Sequence, residues 1–430
     1  MGIAETLEYI HSVKWQGSKP GLERTRELLA ALGNPEKSLK FIHIAGTNGK
    51  GSTAACIAAV LQHAGYTTGL YTSPFILRFN ERIQVDGEHI SDVELEGITE
   101  EIRPFADAMK DSPTEFELIT ALAMKHFLYK KCDIVVLEVG MGGELDSTNV
   151  IDTPEAAVIT TIGYDHVMEL GPEIVDIAGA KAGIIKGGDV VIYGGAPDVE
   201  AVFERVCSER DAKMRRVDFS RITGQRFTLD GVSFGFSPYG ELALPLAGVY
   251  QPKNAALAIT VMELIREKGY KVSDSDIING IAQVRWPGRF EILGKSPIFI
   301  LDGAHNPEAI EVTAESLRCH FGDRRIIFVV SVMVDKDVDS MIDHIAPLAE
   351  AFYAVRPDYP RAMETKALAE KLSLHKVPTA AYDTVAKGVA EAISRAGKGG
   401  IICALGTLYF SCDVRNAYTS IMHKNANKRK

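Results

Sequence analysis

The chain has 430 residues, which is more than one ordinary hydrophobic core organises, so we expect two domains. Its composition, 46% hydrophobic and 24% charged, is typical of a soluble globular protein. The formal net charge of −10 argues against a general nucleic-acid or membrane binder, because such proteins normally present a basic face.

Three further features of the sequence predict a cytoplasmic protein. The six cysteines are scattered without a Cys-x-x-Cys pair, which is typical of buried free thiols in a reducing compartment. The N-terminal segment carries acidic side chains and no long apolar stretch, so we expect no signal peptide. No run of about 18 uninterrupted apolar residues occurs, so we expect no membrane span.

The first part of the chain alternates helices and strands in the manner of a parallel sheet. A helix is predicted over 22–32, ended by Gly33-Asn34-Pro35, and a strand follows at 40–46. A glycine-rich loop, a helix over 52–65 and a strand over 66–73 complete a βαβ unit. Further buried strands are predicted at 132–140, 156–163 and 189–195, with helices at 116–131 and 173–185.

The pattern changes twice in the second half of the chain. Segment 207–245 predicts a small antiparallel addition with a hairpin turning at Asp230-Gly231. Helices over 253–269 and 274–284 then close the first domain, and the strand–helix alternation restarts after Gly294. We therefore expect an α/β protein of two domains, a P-loop parallel-sheet ATPase domain over 1–294 and a smaller Rossmann-like domain over 295–430.

The stretch HIAGTNGKGSTAA (43–55) predicts a phosphate-binding loop between a strand and a helix. Its glycines let backbone N–H groups turn toward an anion, and the helix that follows presents unsatisfied N–H donors. Lys50 can add a positive charge and Ser52 a hydroxyl. The alternative is a glycine turn that only permits close packing. A dinucleotide site is disfavoured because no Gly-x-Gly-x-x-Gly follows the strand.

Three polar residues near predicted strand ends or helices have both a structural and a functional interpretation. Glu138 ends an apolar strand at the edge where ligand-binding residues of open α/β sheets gather, and Mg²⁺ prefers such oxygen donors. His166 also follows a strand, although a lone histidine is more often structural. Lys181 lies in an apolar helical stretch, where it must reach solvent, be paired or be modified.

Ten motifs in register extend this pattern through nearly the whole chain, and together with the loop GTNGKGS they resemble folylpolyglutamate synthases of the Mur ligase superfamily. They are TSPFILRFNERI (72–83), TEFELITA (114–121), LEVGMGGELDSTN (137–149), IGYDH (162–166), KAGIIK (181–186), QPKNAALA (251–258), WPGRFE (286–291), LDGAHNP (301–307), MVDKD (333–337) and GTLYF (406–410).

The resemblance implies roles for residues on both predicted domains. The ATP-binding residues it implies are Thr47, Asn48, Gly49, Lys50, Gly51, Ser52, Asn254 near the base, Arg289 at the phosphates, and Asp302 and His305 at the ribose and phosphates. The metal ligands it implies, for two Mg²⁺ ions, are Ser73, Glu138, His166 and Lys181 as a carbamate. Lys50, Lys181 and His305 are the catalytic candidates, His305 as a candidate base.

Three residues depart from the pattern common in that family. Glu144 stands where Arg is usual, Ala180 where Glu is usual, and Phe75 where His is often found. The departures lie near the expected metal and folate sites, so they bear on the exact substrate and make the chain less similar to the members that also make dihydrofolate.

The resemblance implies an ATP-dependent ligase that joins L-glutamate to the γ-carboxyl of a folate through an acyl phosphate. We expect a cytoplasmic monomer that uses ATP as co-substrate with Mg²⁺. Two alternatives stay open: a dihydrofolate synthase, alone or combined with the first activity, and a nucleotide-dependent switch protein that lacks ligase activity.

Overall fold

The computed structural model describes residues 2–12 and 21–427, and their contacts divide the chain into two compact units. Unit 1 comprises 1–222, 236–240 and 253–284, and unit 2 comprises 223–235, 241–252 and 285–430. None of the helices in the described residues is long and apolar enough to cross a bilayer.

Unit 1 is built on an eight-stranded sheet flanked by helices. Its strands are β1 (Phe41–Ala45), β2 (Thr68–Tyr71), β3 (Ile83–Val85), β4 (Glu88–His89), β5 (Ile134–Glu138), β6 (Ala156–Ile159), β7 (Gly188–Ile192) and β8 (Ala212–Arg216). Its helices are α1 (Ile3–Ser12), α2 (Glu23–Ala31), α3 (Lys50–His63), α4 (Asp92–Ala108), α5 (Glu115–Tyr129), α6 (Val167–Leu170), α7 (Ile174–Ala182), α8 (Pro197–Glu209), α9 (Gln251–Glu267) and α10 (Asp274–Gln283).

The strand order in this sheet is β4-β3-β2-β5-β1-β6-β7-β8. The six strands β2, β5, β1, β6, β7 and β8 pair in parallel with their neighbours in this order. Strands β3 and β4 extend the sheet beyond β2 as an antiparallel edge. Strands β1 and β5 are buried at every position because helices cover both faces of the sheet. The central position of β1 places the loop that follows it between the ends of β5 and β6.

The predicted small addition is present as a three-stranded sheet of β9 (Ile222–Thr228), β10 (Gly231–Phe236) and β11 (Gly240–Leu244), in the order β11-β10-β9. Most of it groups with unit 2, whereas the sequence placed it in the first domain. The contacts explain the difference. Lys295 Nζ lies 2.7 Å from Asp230 Oδ1 on the hairpin turn, and His320 Nε2 lies 2.8 Å from the Ala247 carbonyl.

Unit 2 has its own six-stranded sheet in the order β12-β13-β17-β14-β15-β16, parallel except for the edge strand β12. The strands are β12 (Glu291–Lys295), β13 (Ile298–Leu301), β14 (Ile326–Val330), β15 (Ala349–Ala354), β16 (Thr379–Ala381) and β17 (Ile401–Leu405). The helices are α11 (Pro307–Phe321), α12 (Val338–Ile345), α13 (Thr365–Ser373), α14 (Val385–Ala396) and α15 (Ser411–Asn427).

The fold class predicted from the sequence is confirmed, and the boundary predicted at 294 differs from the observed division. Residue 294 lies within β12, which pairs with β13, so the segment from Arg285 onward groups with unit 2. Apolar side chains from both faces of the unit 2 sheet form two clusters, with α11, α12 and α13 over one face and α14 and α15 over the other.

Candidate active site

The loop between β1 and α3 has a backbone that only glycine adopts without strain. Gly46 has φ +147° and Gly49 has φ +88°, both in the region that side chains disfavour. A Cβ atom on Gly46 would lie 1.7 Å from Thr160 Oγ1, and one on Gly49 would lie 2.7 Å from Asn254 Oδ1. The glycines therefore let the loop pack against two neighbouring elements, the end of β6 and the start of α9.

Hydrogen bonds fix this loop to the segment after β6. The Thr47 N–H donates to the Thr161 carbonyl at 2.7 Å, and the Thr47 hydroxyl bridges the Gly163 backbone at 3.0 and 3.1 Å. Asn48 and Thr161 exchange two further bonds, at 3.3 and 3.1 Å. Thr47 and Asn48, which the sequence assigned to ATP binding, therefore also hold the loop in shape before any nucleotide binds.

Two lysine side chains converge on one carbonyl of the loop. Lys50 Nζ donates to the Gly46 carbonyl at 3.0 Å and to the Thr47 carbonyl at 3.1 Å, and Lys181 Nζ donates to the Gly46 carbonyl at 3.0 Å. Lys181 is 4% exposed. Burial, and then the charge of Lys50, lower the pKa of Lys181 to about 7. A sizeable neutral fraction of this amine therefore exists near neutral pH.

Glu138 and Ser73 meet because β5 and β2 are neighbours in the sheet. Glu138 is the last residue of β5 and is 3% exposed, and its Oε2 accepts the Ser73 N–H at 3.2 Å. Arg82 Nη1 donates to Ser73 Oγ at 3.3 Å. The structure thus brings together two of the predicted metal ligands, a buried carboxylate and a hydroxyl.

His166 follows β6 at the same edge of the sheet and has φ +54°, in the left-handed region. Its Nε2 lies 4.0 Å from Asp165 Oδ1, and its backbone N–H donates to the same oxygen at 3.0 Å. The charge of Asp165 also acts on Lys181, since it raises the pKa of that lysine against the effect of burial. Asp165 thereby links His166 to the lysine pair.

The donor types suit a hard divalent cation. In the described part of the chain no three His, Cys, Asp or Glu side chains are grouped as a metal site, and the predicted ligand set contains only two such residues. The buried Glu138 carboxylate and the adjacent Ser73 hydroxyl are the oxygen donors that Mg²⁺ accepts, and Mg²⁺ normally completes its shell with water and phosphate. The residues present therefore fit the ion.

The remaining predicted nucleotide residues of unit 1 lie beside the loop. Gly51 and Ser52 are buried in the first turn of α3, where backbone N–H groups lack helical partners. Asn254 in α9 is 4% exposed and contacts Gly49. The structure thus places Asn254 next to the phosphate loop itself.

Unit 2 carries a second polar cluster at the end of β13. Asp302 is 2% exposed and accepts hydrogen bonds from the Phe290 N–H at 2.6 Å, the Ala304 N–H at 2.8 Å, Thr313 Oγ1 at 3.2 Å and the Tyr250 hydroxyl at 3.3 Å. Burial nevertheless raises the pKa of Asp302. With four donors, this carboxylate organises the turn that follows β13, and its contact with nucleotide stays a prediction.

His305 lies on the same turn as Asp302, and Arg289 reaches that turn from the segment before β12. His305 Nδ1 is 2.7 Å from the Gly303 carbonyl, so this nitrogen carries the proton and donates. A Cβ atom on Gly303 would lie 2.8 Å from Arg289 Nη1, so the guanidinium packs against this glycine. The structure therefore brings Arg289, which the sequence placed in the first domain, together with Asp302 and His305 of the second.

Two of the three departures are in direct backbone contact. The Glu144 N–H donates to the Ala180 carbonyl at 2.8 Å, next to Lys181, and the Glu144 side chain is exposed. Phe75 packs near Phe79, and the Arg82 guanidinium carbon lies 5.3 Å from the Phe75 ring centroid. All three departures therefore adjoin residues assigned to the metal site.

Sequence reasoning missed several residues that shape this site. Thr160 and Thr161 dock the loop, and Asp165 acts on Lys181. His43, inside β1, is fully buried, and its Nε2 lies 2.9 Å from Thr148 Oγ1, whose proton goes to Asp146. These residues could have been identified in the sequence because they are polar and lie within or directly after buried strands. Such positions are unfavourable for polar side chains unless they have hydrogen-bond partners.

Family models match most of the chain. The Mur ligase middle domain matches residues 44–262, and the Mur ligase glutamate ligase domain matches residues 288–408.

Curated relatives match over nearly their whole length. A Bacillus subtilis dihydrofolate synthase/folylpolyglutamate synthase is 39% identical over 96% of this chain and 98% of its own. A folylpolyglutamate synthase of Lacticaseibacillus casei is 39% identical over 84% of this chain and 87% of its own.

Solved structures also match nearly the whole chain. Mycobacterium tuberculosis folylpolyglutamate synthase, complexed with ADP and AMPPCP, superposes with a TM-score of 0.89 at 31% identity and covers 97% of this chain and 98% of its own. An Escherichia coli relative in complex with DHPP and ADP has a TM-score of 0.85 at 30% identity, covering 98% and 99%.

Proposed function

The chain belongs to the Mur ligase family, and we propose that it is a folylpolyglutamate synthase, which uses ATP to join L-glutamate to the γ-carboxyl of a folate and releases ADP and phosphate. Two relatives that match most of the chain carry this activity in their names. Both domain models cover the parts of the chain that hold the two polar clusters.

The observation that carries this proposal is the convergence of Lys50 and Lys181 on the Gly46 carbonyl beside the buried Glu138. Binding a nucleotide requires only the loop and Lys50. A second, largely buried lysine with a lowered pKa is unfavourable unless the site uses it, because burying an ammonium group is costly. A ligase that activates a carboxylate has such a use.

The reaction proceeds in two balanced steps. A folate γ-carboxylate oxygen attacks the γ-phosphorus of ATP, the bond to the β–γ bridging oxygen breaks, and ADP leaves with that electron pair. The neutral amine of L-glutamate then attacks the acyl carbon, the carbon–oxygen bond to phosphate breaks, and the amine loses a proton. Lys50, the loop N–H groups and Arg289 offset the repulsion between the carboxylate and the polyphosphate.

Ser73, Glu138, His166 and a carbamate on Lys181 would hold Mg²⁺, which lowers the charge repulsion at the phosphates when bound. The carbamate forms when the neutral Lys181 amine attacks CO₂ and loses a proton, and the lowered pKa of Lys181 favours that neutral form. His305 is proposed as the base for the glutamate amine. A cytoplasmic location and a monomeric state stay predictions from the sequence.

A second candidate activity is dihydrofolate synthesis, alone or together with the first. It is favoured by the Bacillus subtilis relative, whose name includes both activities. The two activities share their chemistry and differ in whether the carboxylate belongs to dihydropteroate or to a folate. The departures at Glu144, Ala180 and Phe75 lie where this choice is expected to be made, and they favour the folate.

Phosphate release measured with and without L-glutamate, across a panel of folates and dihydropteroate, tests the proposal. We expect glutamate-dependent release with tetrahydrofolate and little with dihydropteroate. Turnover on dihydropteroate alone would establish the second candidate instead. If phosphate release is slow and does not depend on L-glutamate for any substrate of the panel, ligase activity is contradicted and a nucleotide switch is indicated.

A further inference from the structure

Unit 1 carries a depression of about 770 Å³ near the amino ends of β1 and β6. The phosphate loop lies at the opposite, carboxyl end of β1. Its walls come from α2 and from the segments that enter β1 and β6, including residues 34–37 and 150–153. The phosphate loop follows the carboxyl end of β1, so the length of that strand separates the two sites. Nothing in the proposed ligase chemistry uses this depression.

Three cations line the depression: Arg26 on α2, Lys37 on the short 3-10 helix before β1, and Lys186 after α7. Within the described ranges none of the three forms an ion pair. Lys186 Nζ instead donates to the backbone carbonyls of Asn149, at 2.7 Å, and Ile151. Three cations and two acidic residues, Glu36 and Asp152, line the depression, so its lining is net positive in a chain with a net charge of −10.

Charges in the lining of the depression act on Lys186. Burial, and then the charge of Arg26, lower the pKa of Lys186 to about 8, although the charge of Asp152 acts in the opposite direction. An ammonium group that is destabilised in this way is stabilised again when an anion enters beside it. The field in the depression therefore favours a small anion.

Two acidic residues of the same lining restrict which anion fits. Asp152 is exposed there, and Glu36 is buried, with Oε2 unpartnered among the described residues. A fully ionised anion such as sulfate gains from the cations but is repelled by Asp152. Hydrogen phosphate gains from the same cations and carries one P–O–H group, which can donate to a carboxylate.

We propose that this depression is a binding site for hydrogen phosphate, held by Arg26, Lys37 and Lys186 and selected over sulfate by the carboxylate of Asp152. If the proposed function holds, the ligand is also a product of the reaction, and the site lies away from the reacting atoms.

Isothermal titration calorimetry of the full chain with inorganic phosphate, and separately with sulfate, tests the site. Saturating Mg²⁺ and AMPPCP fill the phosphate loop during the titration. We expect phosphate to bind at one site, and sulfate at least tenfold more weakly. The double variant Arg26→Gln/Lys37→Gln is expected to raise the phosphate Kd at least tenfold, and both side chains are exposed, so folding is preserved.

The matched control is Arg205→Gln/Lys213→Gln, which removes one exposed arginine and one exposed lysine elsewhere on unit 1 and should leave the phosphate Kd unchanged. Asp152→Asn should reduce the preference for phosphate over sulfate, because an amide no longer repels sulfate. The proposal is overturned by an unchanged Kd in the Arg26/Lys37 variant, by equal affinity for sulfate, or by no phosphate binding.

The outcome is separable from that of the proposed function. If AMPPCP fails to bind, the ATP-dependent function is contradicted, and phosphate titrations then report two classes of site. Only the class in the depression should respond to the Arg26/Lys37 variant, whereas the class at the loop should respond to Lys50→Gln.

Discussion

At the scale of single residues, Lys181 distinguishes two uses of a buried amine. A lysine that serves as a cation would be replaced best by another cation. A lysine that serves as a carbamate would be replaced best by a carboxylate, because the carbamate is an anion. The structure leaves Lys181 4% exposed next to Lys50, an arrangement that disfavours the cation.

We therefore expect Lys181→Ala to lower the ligase kcat about 10²- to 10³-fold, the range for loss of one preorganised charged group at a reacting centre. Acetate added to the assay should restore part of the rate by occupying the vacated volume with a carboxylate. Lys181→Arg is the control and should stay inactive. Activity in the arginine variant without any acetate effect would show that Lys181 acts as a cation.

His43 is the second residue whose environment has a measurable consequence. Thr148 Oγ1 gives its proton to Asp146 Oδ1, so it must accept from His43 Nε2–H. Burial lowers the pKa of His43 to about 3. The unfolded chain therefore binds a proton at this histidine below about pH 6.5, whereas the folded chain does not until about pH 3.

The sign of the effect follows from that difference. Between about pH 6.5 and pH 3 the unfolded state holds more protons at this position, so acidification through this window lowers the free energy of unfolding, by up to about 1.4 kcal/mol per pH unit. His43→Gln keeps an N–H donor toward Thr148 and cannot titrate. Urea unfolding at pH 7 and pH 5 should show a smaller loss in the variant, by about 2 kcal/mol, and an equal loss would contradict this assignment.

At the scale of elements, the sequence identified strands where burial is complete. Strands β1, β5 and β6 are apolar runs in a buried parallel sheet, and their pattern predicts them well. The three-residue edge strand β16 and the helices before and after it in the chain, α13 and α14, were not predicted. The edge strand is short and partly exposed, so it lacks the apolar run that identifies a strand.

The sequence names a set of candidate site residues, whereas the contacts among them could not be predicted. Lys50 and Lys181 are 131 positions apart, and that both reach the Gly46 carbonyl depends on strand order and register. The departures at Glu144 and Ala180 likewise meet through a backbone hydrogen bond that no local pattern encodes. The order of the motifs indicated the function, whereas the distances between these residues follow from the strand order and register of the sheet.

The phosphate loop gives a prediction about one element packing on another. Gly46→Ala would place a Cβ atom 1.7 Å from Thr160 Oγ1 at a backbone φ of +147°. We expect a loss of about 2 kcal/mol or more in the free energy of unfolding, together with weaker ADP binding.

Thr160→Ala offers a matched test of that clash. Its hydroxyl has no partner among the described residues, so removing it alone should cost little. In the double variant with Gly46→Ala, the closest contact is gone, and part of the lost stability should return. A double-mutant cycle from urea unfolding measures this coupling, and strict additivity would show that the backbone φ alone accounts for the loss.

At the scale of the whole molecule, the chain consists of two units that each have a sheet and hydrophobic clusters of their own. Units with separate cores can unfold separately, so calorimetry of the free protein should resolve two transitions. A ligand raises the transition temperature only of a unit whose folded state binds it.

This linkage tests whether unit 2 contributes to nucleotide binding, as the roles assigned to Arg289 and His305 require. If both units contact the nucleotide, Mg²⁺ with AMPPCP should raise both transitions or merge them into one. Arg289→Gln should then remove the shift of the second transition and keep that of the first, which depends on the loop at Lys50. Lys50→Gln should weaken both shifts, because the triphosphate is held less tightly. A second transition that ignores the nucleotide in the unaltered protein would contradict the assignment of Arg289 and His305 and confine ATP binding to unit 1.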